Sequence, residues 1–274
     1  MIFGVVGNPY KAGVKEICRH ISTLVDTKNV IFSIELKNIL GDGFFYGNHG
    51  EIREKADIII TVGGDGTFLR TARIFTEKPI MGVNAGTFGF LTVYSRNNLE
   101  NAVKNLLEGR WFIEKRITLK ALVTANPIIA LNDFVVNVTG SARMVSISVF
   151  ANENNIFEYR GDGLIIATPT GSTAYNLSAG GPVLFPTMES IVLTPICPHK
   201  LSLRPVVLPS DTVIRIKVEA KSEEIILSAD GQETIPLKSG DEFEIVKNSE
   251  DVKLVKTIDL PNHFEILKAK LYWG

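Results

Sequence analysis

The chain has 274 residues, enough for one large domain or two ordinary ones with a sizeable core. Hydrophobic residues make up 45% and charged residues 22%, ordinary for a globular enzyme, and the formal net charge of -1 supplies no general pull toward nucleic acid or anionic membrane. No apolar run approaches the roughly 20 residues of a bilayer span, the start MIFGVVGNPY lacks a signal peptide's features, and the two cysteines, Cys18 and Cys197, lie far apart.

A cytoplasmic protein with reduced thiols, and with neither nucleic acid nor membrane as partner, is therefore expected. The histidines His20, His49, His199 and His263 form no HExxH or HxxxH spacing, so no protein-bound transition metal is expected either.

In chain order, MIFGVVG reads as a short strand ending in glycine. Residues 11–26 then place Val14, Ile17, Cys18, Ile21, Leu24 and Val25 at helical spacing. VIFSIEL is a second strand, and the glycine-rich GDGFFYGNHG of residues 41–50 reads as a mobile loop. After Asp57 the run IIITV is apolar on both faces, as the centre of a parallel sheet requires. The turn Gly63-Gly64-Asp65-Gly66-Thr67 follows, then FLRTARIF as a helix, PIMGVN as a strand and AGTFGF as a loop. NNLENAVKNLLEG is a helix with Leu99, Val103, Leu106 and Leu107 on one side and an asparagine cap before it. These repeated β-α units predict a doubly wound, Rossmann-like α/β domain with a parallel sheet over residues 1–110.

After Gly109 the texture changes. TLKALVTA, IIALNDFVVNVT, RMVSISVFA, IFEYR, LIIATP, TVIRIKVEA, EEIILSA, FEIVK and VKLVKTI are short strand candidates, many alternating apolar with polar. The clusters NENN, KSEE, ADGQ and KSGD separate them as turns, which predicts an all-β sandwich over residues 111–256. TPTGSTAYNLSAGG interrupts that pattern as a loop and short helix. The apolar tail 257–274 is expected to pack back on the first domain.

The Gly63–Thr67 turn suits an anionic ligand. Glycine lets the backbone approach phosphate oxygens, and the following helix adds unpaired N–H groups at its positive end. The turn lies beyond the carboxyl end of its strand, where ligands bind in open α/β sheets. It is neither a GxGxxG fingerprint nor a P-loop. Asp65 is the unusual member, because a carboxylate beside polyphosphate is repelled unless it accepts a proton or helps hold Mg²⁺. The structural alternative makes Asp65 a turn residue or a helix cap.

A second concentration of chemistry lies further on. Thr168, Thr170, Ser172, Thr173, Tyr175 and Ser178 crowd six hydroxyls into eleven positions. Hydroxyls and small residues (Gly171, Ala174, Ala179, Gly180, Gly181) suit the donors and acceptors of a nucleotide. The alternative is a small-residue helix packed against another element.

GGDGT resembles the signature shared by NAD kinases, diacylglycerol and sphingosine kinases and, more loosely, phosphofructokinases. The segment GDGLIIATPTGSTAYNLSAGGPV, Gly161 to Val183, closely resembles the long central signature of NAD kinases. Asn132-Asp133 in ALNDFVV is similar to the family's Asn-Glu/Asp motif, and PHKLSLRPVVLP, Pro198 to Pro209, to the segment that follows the central signature. Two departures stand out. Where bacterial members often read Gly-His-Leu-Gly-Phe this chain has Gly86-Thr87-Phe88-Gly89-Phe90, and Asp133 is the shorter of the two family acids.

The resemblance implies a kinase that moves the γ-phosphoryl of ATP, or of another donor, to the 2′-hydroxyl of the adenosine ribose of NAD, giving NADP with the help of Mg²⁺. Gly63, Gly64, Gly66 and Thr67 would present donors to the triphosphate, and Asp65 would be the catalytic acceptor of the 2′-OH proton. Asn132 and Asp133 would hold the adenosine end of NAD, with Asp65 and Gly66 close to its ribose. Thr173, Ala174, Tyr175 and Ser178 would line the dinucleotide pocket, Arg160 and Asp162 would reach the nicotinamide-ribose side, and Phe90 would pack on the ligand. The family also implies a homodimer or homotetramer. Two other readings stay open at this stage: a lipid kinase sharing GGDGT, separated by testing diacylglycerol against NAD, and a non-catalytic NADP-binding sensor, which would bind NADP without turnover.

Overall fold

The computed structural model describes residues 1–86, 88–123, 127–139, 144–220 and 224–272. Thr87, Arg143 of RMVSISVFA, and part of the KSEE and TLKALVTA segments lie outside the described residues. The chain divides into two compact units, one of Met1–Lys115 with Val252–Gly274 and one of Arg116–Asp251.

In the first unit β1 (Phe3–Gly7), β2 (Val30–Ser33), β3 (Tyr46–Gly47), β4 (Ile58–Gly63) and β5 (Pro79–Asn84) alternate with helices α1 (Val14–Leu24), α2 (Lys37–Leu40), α3 (His49–Lys55) and α4 (Asp65–Ile74). Helix α5 (Leu99–Leu107) and β6 (Trp111–Arg116) follow. Helix α1 buries Val14, Ile17, Cys18 and Ile21, one face at the three-to-four spacing of a helix. All six residues of β4 are buried, because helices cover both faces of a central parallel strand.

The segment 41–50 differs from its reading as a loop. Phe44 meets Phe32 edge to face at 5.3 Å, Tyr46 and Gly47 form β3 beside β2, and Asn48 with Glu51 makes a capping box at the start of α3. Its glycines hide an aromatic anchor and a helix start.

The second unit contains β7 (Leu119–Leu122), β8 (Ile128–Ala130), β9 (Asp133–Thr139), β10 (Val145–Ala151), β11 (Asn154–Gly161) and β12 (Gly163–Ala167). After the short helix α6 (Tyr175–Ser178) come β13 (Ser190–Ile196), β14 (Val206–Pro209), β15 (Ile214–Glu219), β16 (Glu224–Ala229), β17 (Glu233–Leu237) and β18 (Glu242–Lys247). They form two six-stranded sheets, ordered β11-β10-β15-β18-β7-β8 and β14-β13-β12-β9-β16-β17. Alternate residues from both sheets, such as Ile147, Val149 and Ile216 on one and Val136, Leu164 and Leu193 on the other, share a single core, the layering of a β-sandwich. The other face of the second sheet, with Val135, Ile165, Ala167, Val192 and the partly buried Ile196, is covered by Ala179 and Leu184. Both faces of β12 are thus buried, which is why LIIA reads as an unbroken apolar run.

The chain then re-enters the first unit as β19 (Val252–Thr257) and α7 (His263–Leu271). The seven-stranded sheet is ordered β3-β2-β1-β4-β5-β19-β6, with β19 parallel to β5. VKLVKTI, read as a sandwich strand, therefore belongs to the parallel sheet. The alternation in VKLVK suggested a half-exposed strand, but Lys256 is buried too, its ammonium 3.8 Å from Glu114. Among the described residues no helix is long and apolar enough to cross a membrane.

Candidate active site

The GGDGT turn joins the carboxyl end of β4 to α4. Gly63 is needed for the turn to close: a β-carbon there would lie 2.6 Å from Cβ of Thr67, whose side chain folds back over it. The Ala85 N–H donates to the Gly63 carbonyl at 2.8 Å, which ties the turn to the loop after β5.

Asp65 makes the closest link between the two loops. Oδ2 accepts from the Phe90 N–H at 2.9 Å. Oδ1 accepts from the N–H groups of Leu91 (3.1 Å) and Thr92 (3.0 Å) and from the Thr92 hydroxyl (2.9 Å). Thr92 Oγ1 is also paired with Asn84 Nδ2 at 2.9 Å, and Asn84 Oδ1 accepts from the Gly86 N–H at 2.5 Å. Gly89 leaves the space this requires, since a β-carbon there would stand 2.8 Å from Asp65 Cγ. Asp65 opens α4 but provides no side-chain cap for it, so the simple capping role considered for this residue does not describe it. Its carboxylate organises Phe90, Leu91 and Thr92 and, through Thr92, Asn84 and Gly86, and Oδ2, with one partner, keeps room to accept from a ligand.

Phe90 contributes its N–H to Asp65, while its half-buried ring packs on the first unit's core with Lys270 Nζ 5.9 Å from its centroid.

In the second unit, Asp133 begins β9 and Asn132 immediately precedes it. Asp230, in a left-handed conformation at φ 52°, accepts from the N–H groups of Asn132 (2.7 Å), Leu131 (3.2 Å) and Asp133 (3.3 Å). Asp133 is 5% exposed, and burial, reinforced by the neighbouring Asp230, raises its carboxyl to about 7. Gly171 lies flat on this motif, with a β-carbon there only 2.7 Å from Asn132 Cα. The Thr168 N–H donates to the Asn132 carbonyl at 2.8 Å and its hydroxyl to Leu131 at 2.6 Å.

The six hydroxyls divide by role. Thr168 and Ser172 are fully buried, and Ser172 donates to Pro169 (2.7 Å) while accepting from Leu184 (3.0 Å). Thr170 accepts from the buried Arg116 at 3.2 Å. Asn176, also buried, binds Ser172, Pro182 and Thr194 and pins α6 to the sheet. Thr173 and Ala174 are half-buried, and Tyr175 and Ser178 are exposed. The buried hydroxyls build the segment, and Thr173, Ala174, Tyr175 and Ser178 are left on its accessible side.

Arg160 is exposed at the end of β11, its carbonyl accepting from the His199 N–H at 2.8 Å. The half-buried Asp162 accepts from the Cys197 thiol, which raises that thiol above its ordinary range.

Residues 45–111 match the model of the ATP-NAD kinase N-terminal domain and residues 131–257 that of the ATP-NAD kinase C-terminal domain. The NAD kinase of Gemmatimonas aurantiaca is 38% identical over 100% of this chain and 96% of its own length, and that of Syntrophotalea carbinolica 36% over 96% and 99%. The chain belongs to the ATP-NAD kinase family.

Solved members share the fold. Yeast NADH kinase, in complex with NADH, has a TM-score of 0.87 at 26% identity, covering 100% of this chain and 88% of that one. An NAD kinase from Archaeoglobus fulgidus in complex with ATP has a TM-score of 0.78 at 28% identity, covering 98% and 99%. The α/β unit with its mostly parallel sheet and the antiparallel sandwich are therefore the architecture of ATP-NAD kinases. Within the first unit the fold brings Gly63, Gly64, Asp65, Gly66, Thr67 and the Phe90 N–H together at the carboxyl ends of β4 and β5. Within the second it brings the Asn132-Asp133 motif against Gly171.

Three contributors were missed from the sequence. Thr92 and Asn84 bind Asp65 or its partner, and Asp230 carries the Asn132-Asp133 backbone. Asp230 stood inside ADGQ, where aspartate before glycine announces only a turn.

Proposed function

We infer that this protein is an NAD kinase, transferring a phosphoryl group to the 2′-hydroxyl of the adenosine ribose of NAD to give NADP. The observation that carries this is the presence of both GGDGT and the Gly161–Val183 segment in one chain, matched along its whole length by NAD kinases. The lipid-kinase and sensor readings gain no support beside it.

The finer assignments follow from chemistry. Phosphoryl transfer depends on alignment and charge neutralisation more than on covalent help. In our reading Gly63, Gly64, Gly66 and Thr67 face the phosphates of ATP, and Asp65 Oδ2 receives or orients the proton of the acceptor hydroxyl. Asn132 and Asp133 take the adenosine end of NAD. Thr173, Ala174, Tyr175 and Ser178 line its pocket, Arg160 and Asp162 serve the nicotinamide ribose, and Phe90 borders the ligand. Support comes from the spare acceptor site on Oδ2 and from the accessibility of Thr173, Ala174, Tyr175 and Ser178.

No three His, Cys, Asp or Glu side chains gather as a metal cage among the described residues. Mg²⁺ held chiefly by the donor's phosphates suits such a turn, where it would supply charge neutralisation. We also read the protein as a cytoplasmic homodimer or homotetramer. The two free cysteines fit a reducing compartment, and the exposed Phe185, Met188, Leu201 and Val207 offer apolar surface to a second copy.

Incubation with NAD, Mg²⁺ and each candidate donor, reading NADP with an NADP-specific dehydrogenase, tests the function. NADP should appear with at least one donor, and its absence with all of them refutes the assignment.

A further inference from the structure

The loop from β1 to α1 reaches the GGDGT turn from the neighbouring strand, since β1 pairs with β4. The Asn8 N–H donates to the Val62 carbonyl at 3.4 Å. Gly13, at φ 84°, passes so near the loop after β5 that a β-carbon would lie 2.7 Å from the Ala85 carbonyl oxygen. Between these anchors the loop closes on Asn8, whose carbonyl accepts from the Lys11 N–H (3.1 Å) and whose Oδ1 accepts from the Tyr10 N–H (3.0 Å).

Lys11 is thereby held with its side chain over the turn. Its Nζ stands 2.6 Å from where a β-carbon on Gly64 would be, and its Cε 3.8 Å from the corresponding point on Gly86. Lys11 is half-buried, and among the described residues its ammonium has no carboxylate within 4 Å and no hydrogen-bond acceptor. Other lysines find acids: Lys28 reaches Asp26, Lys217 reaches Glu219, and Lys247 and Lys256 reach Glu189 and Glu114. A partly desolvated cation without a counter-charge is unfavourable on its own and becomes favourable when an anion joins it.

We propose that the Lys11 ammonium is a ligand of the phosphoryl donor, gripping the terminal phosphates of a nucleoside triphosphate or of inorganic polyphosphate above Gly64. This rests on the reading of Gly63–Thr67 as the donor's phosphate site. Lysine acts on phosphate as a compact point charge, suited to a group that must leave during transfer. Gly64 then has a second purpose, because any side chain there would push the ammonium away.

Lys11→Met keeps the apolar stem and removes the charge. The KM for the donor should rise roughly 10- to 150-fold, the equivalent of one charged hydrogen bond, with the KM for NAD unchanged and much of the loss recovered in Lys11→Arg. Gly64→Ala, which displaces the ammonium without removing it, should raise the donor KM in the same direction. Assays with ATP and with polyphosphate identify the source of the phosphates by the arm in which the rise occurs. Calorimetric titration of tripolyphosphate into wild type and Lys11→Met measures the contact without turnover. Loss of tripolyphosphate binding in the variant supports the assignment even if the wild type makes no NADP, an outcome that would overturn the kinase reading alone. With a wild type that makes NADP, an unchanged donor KM in Lys11→Met, or equal effects on both substrates, overturns the role of Lys11.

Discussion

Thr92 gives both its backbone N–H (3.0 Å) and its hydroxyl (2.9 Å) to the same oxygen, Oδ1, of Asp65. The residues are 27 apart in sequence and stand beyond two neighbouring parallel strands, β4 and β5. Their contact makes one rigid object of two loops. The aspartate that the chemistry singles out is therefore also the aspartate that shapes its surroundings.

Thr92→Val removes one donor to Asp65 and leaves the buried Asn84 amide without its acceptor at that position. A loss of about 1–3 kcal/mol in stability is expected, with Thr92→Ser close to wild type. Thermal unfolding of the three proteins checks this, and an equal melting temperature for valine and threonine would contradict it.

Asp65→Asn acts twice. An amide NH₂ replaces one of two oxygens that accept only from N–H and O–H donors, so it must confront one of them. The variant should lose roughly 10²–10⁴ in kcat if the carboxylate serves as proton acceptor, and should also melt lower. Turnover near wild type in a folded Asp65→Asn protein would remove the acceptor role.

Gly89→Ala places a methyl group against Asp65 Cγ and the Thr92 hydroxyl. Neither can retreat without breaking the hydrogen bonds above, so activity should fall as far as in Asp65→Asn while the far-UV spectrum of the second unit is retained. Wild-type kinetics in Gly89→Ala would show that the loop's geometry does not matter.

Burial first, then Asp230, raises the Asp133 carboxyl from 3.8 to about 7, so the folded chain binds its proton more tightly than the unfolded chain does. That contribution is complete below pH 3.8 and is lost as pH rises through about 7. At about 1.4 kcal/mol per pKa unit, it amounts to a few kcal/mol. Asp133→Asn, which resembles the protonated form, should melt above wild type at pH 8 and show a flatter pH dependence between pH 3.8 and about 7, the interval of this shift. Parallel pH dependence in the two proteins would count against a protonated Asp133.

Much of the architecture could be read from the sequence because its local signals agree. IIITV is apolar on both faces and is buried on both, and the inward residues of β10 and β15 alternate as a sandwich strand should. Misreadings arose where a tertiary partner overrides the local pattern. Lys256 looks solvent-facing until Glu114 is beside it, and the glycines of 41–50 suggest a loop until Phe44 meets Phe32. At the site, Asp65 was visible as an acid among glycines, but its donors come from Phe90 to Thr92, whose backbone N–H groups have no sequence signature. The hydroxyl cluster was visible as well, but not the division between those that build the segment and those left accessible. Lys11 had a legible cue, a cation in a loop leaving the carboxyl end of a strand next to β4.

The position of β19 has a consequence for how the protein is made. The first unit's sheet takes its sixth strand in spatial order from residues 252–257, and only through that strand does β6 join the others. The second unit, Arg116–Asp251, is continuous in sequence, and all of its strands are made before β19. The first must wait for residues 252–257, and until they arrive β5 and β6 present unpaired edges across a gap. During synthesis the half bearing the GGDGT turn is thus the later and more aggregation-exposed one, and a chain cut off before β19 would carry every strand of the sandwich but an incomplete parallel sheet.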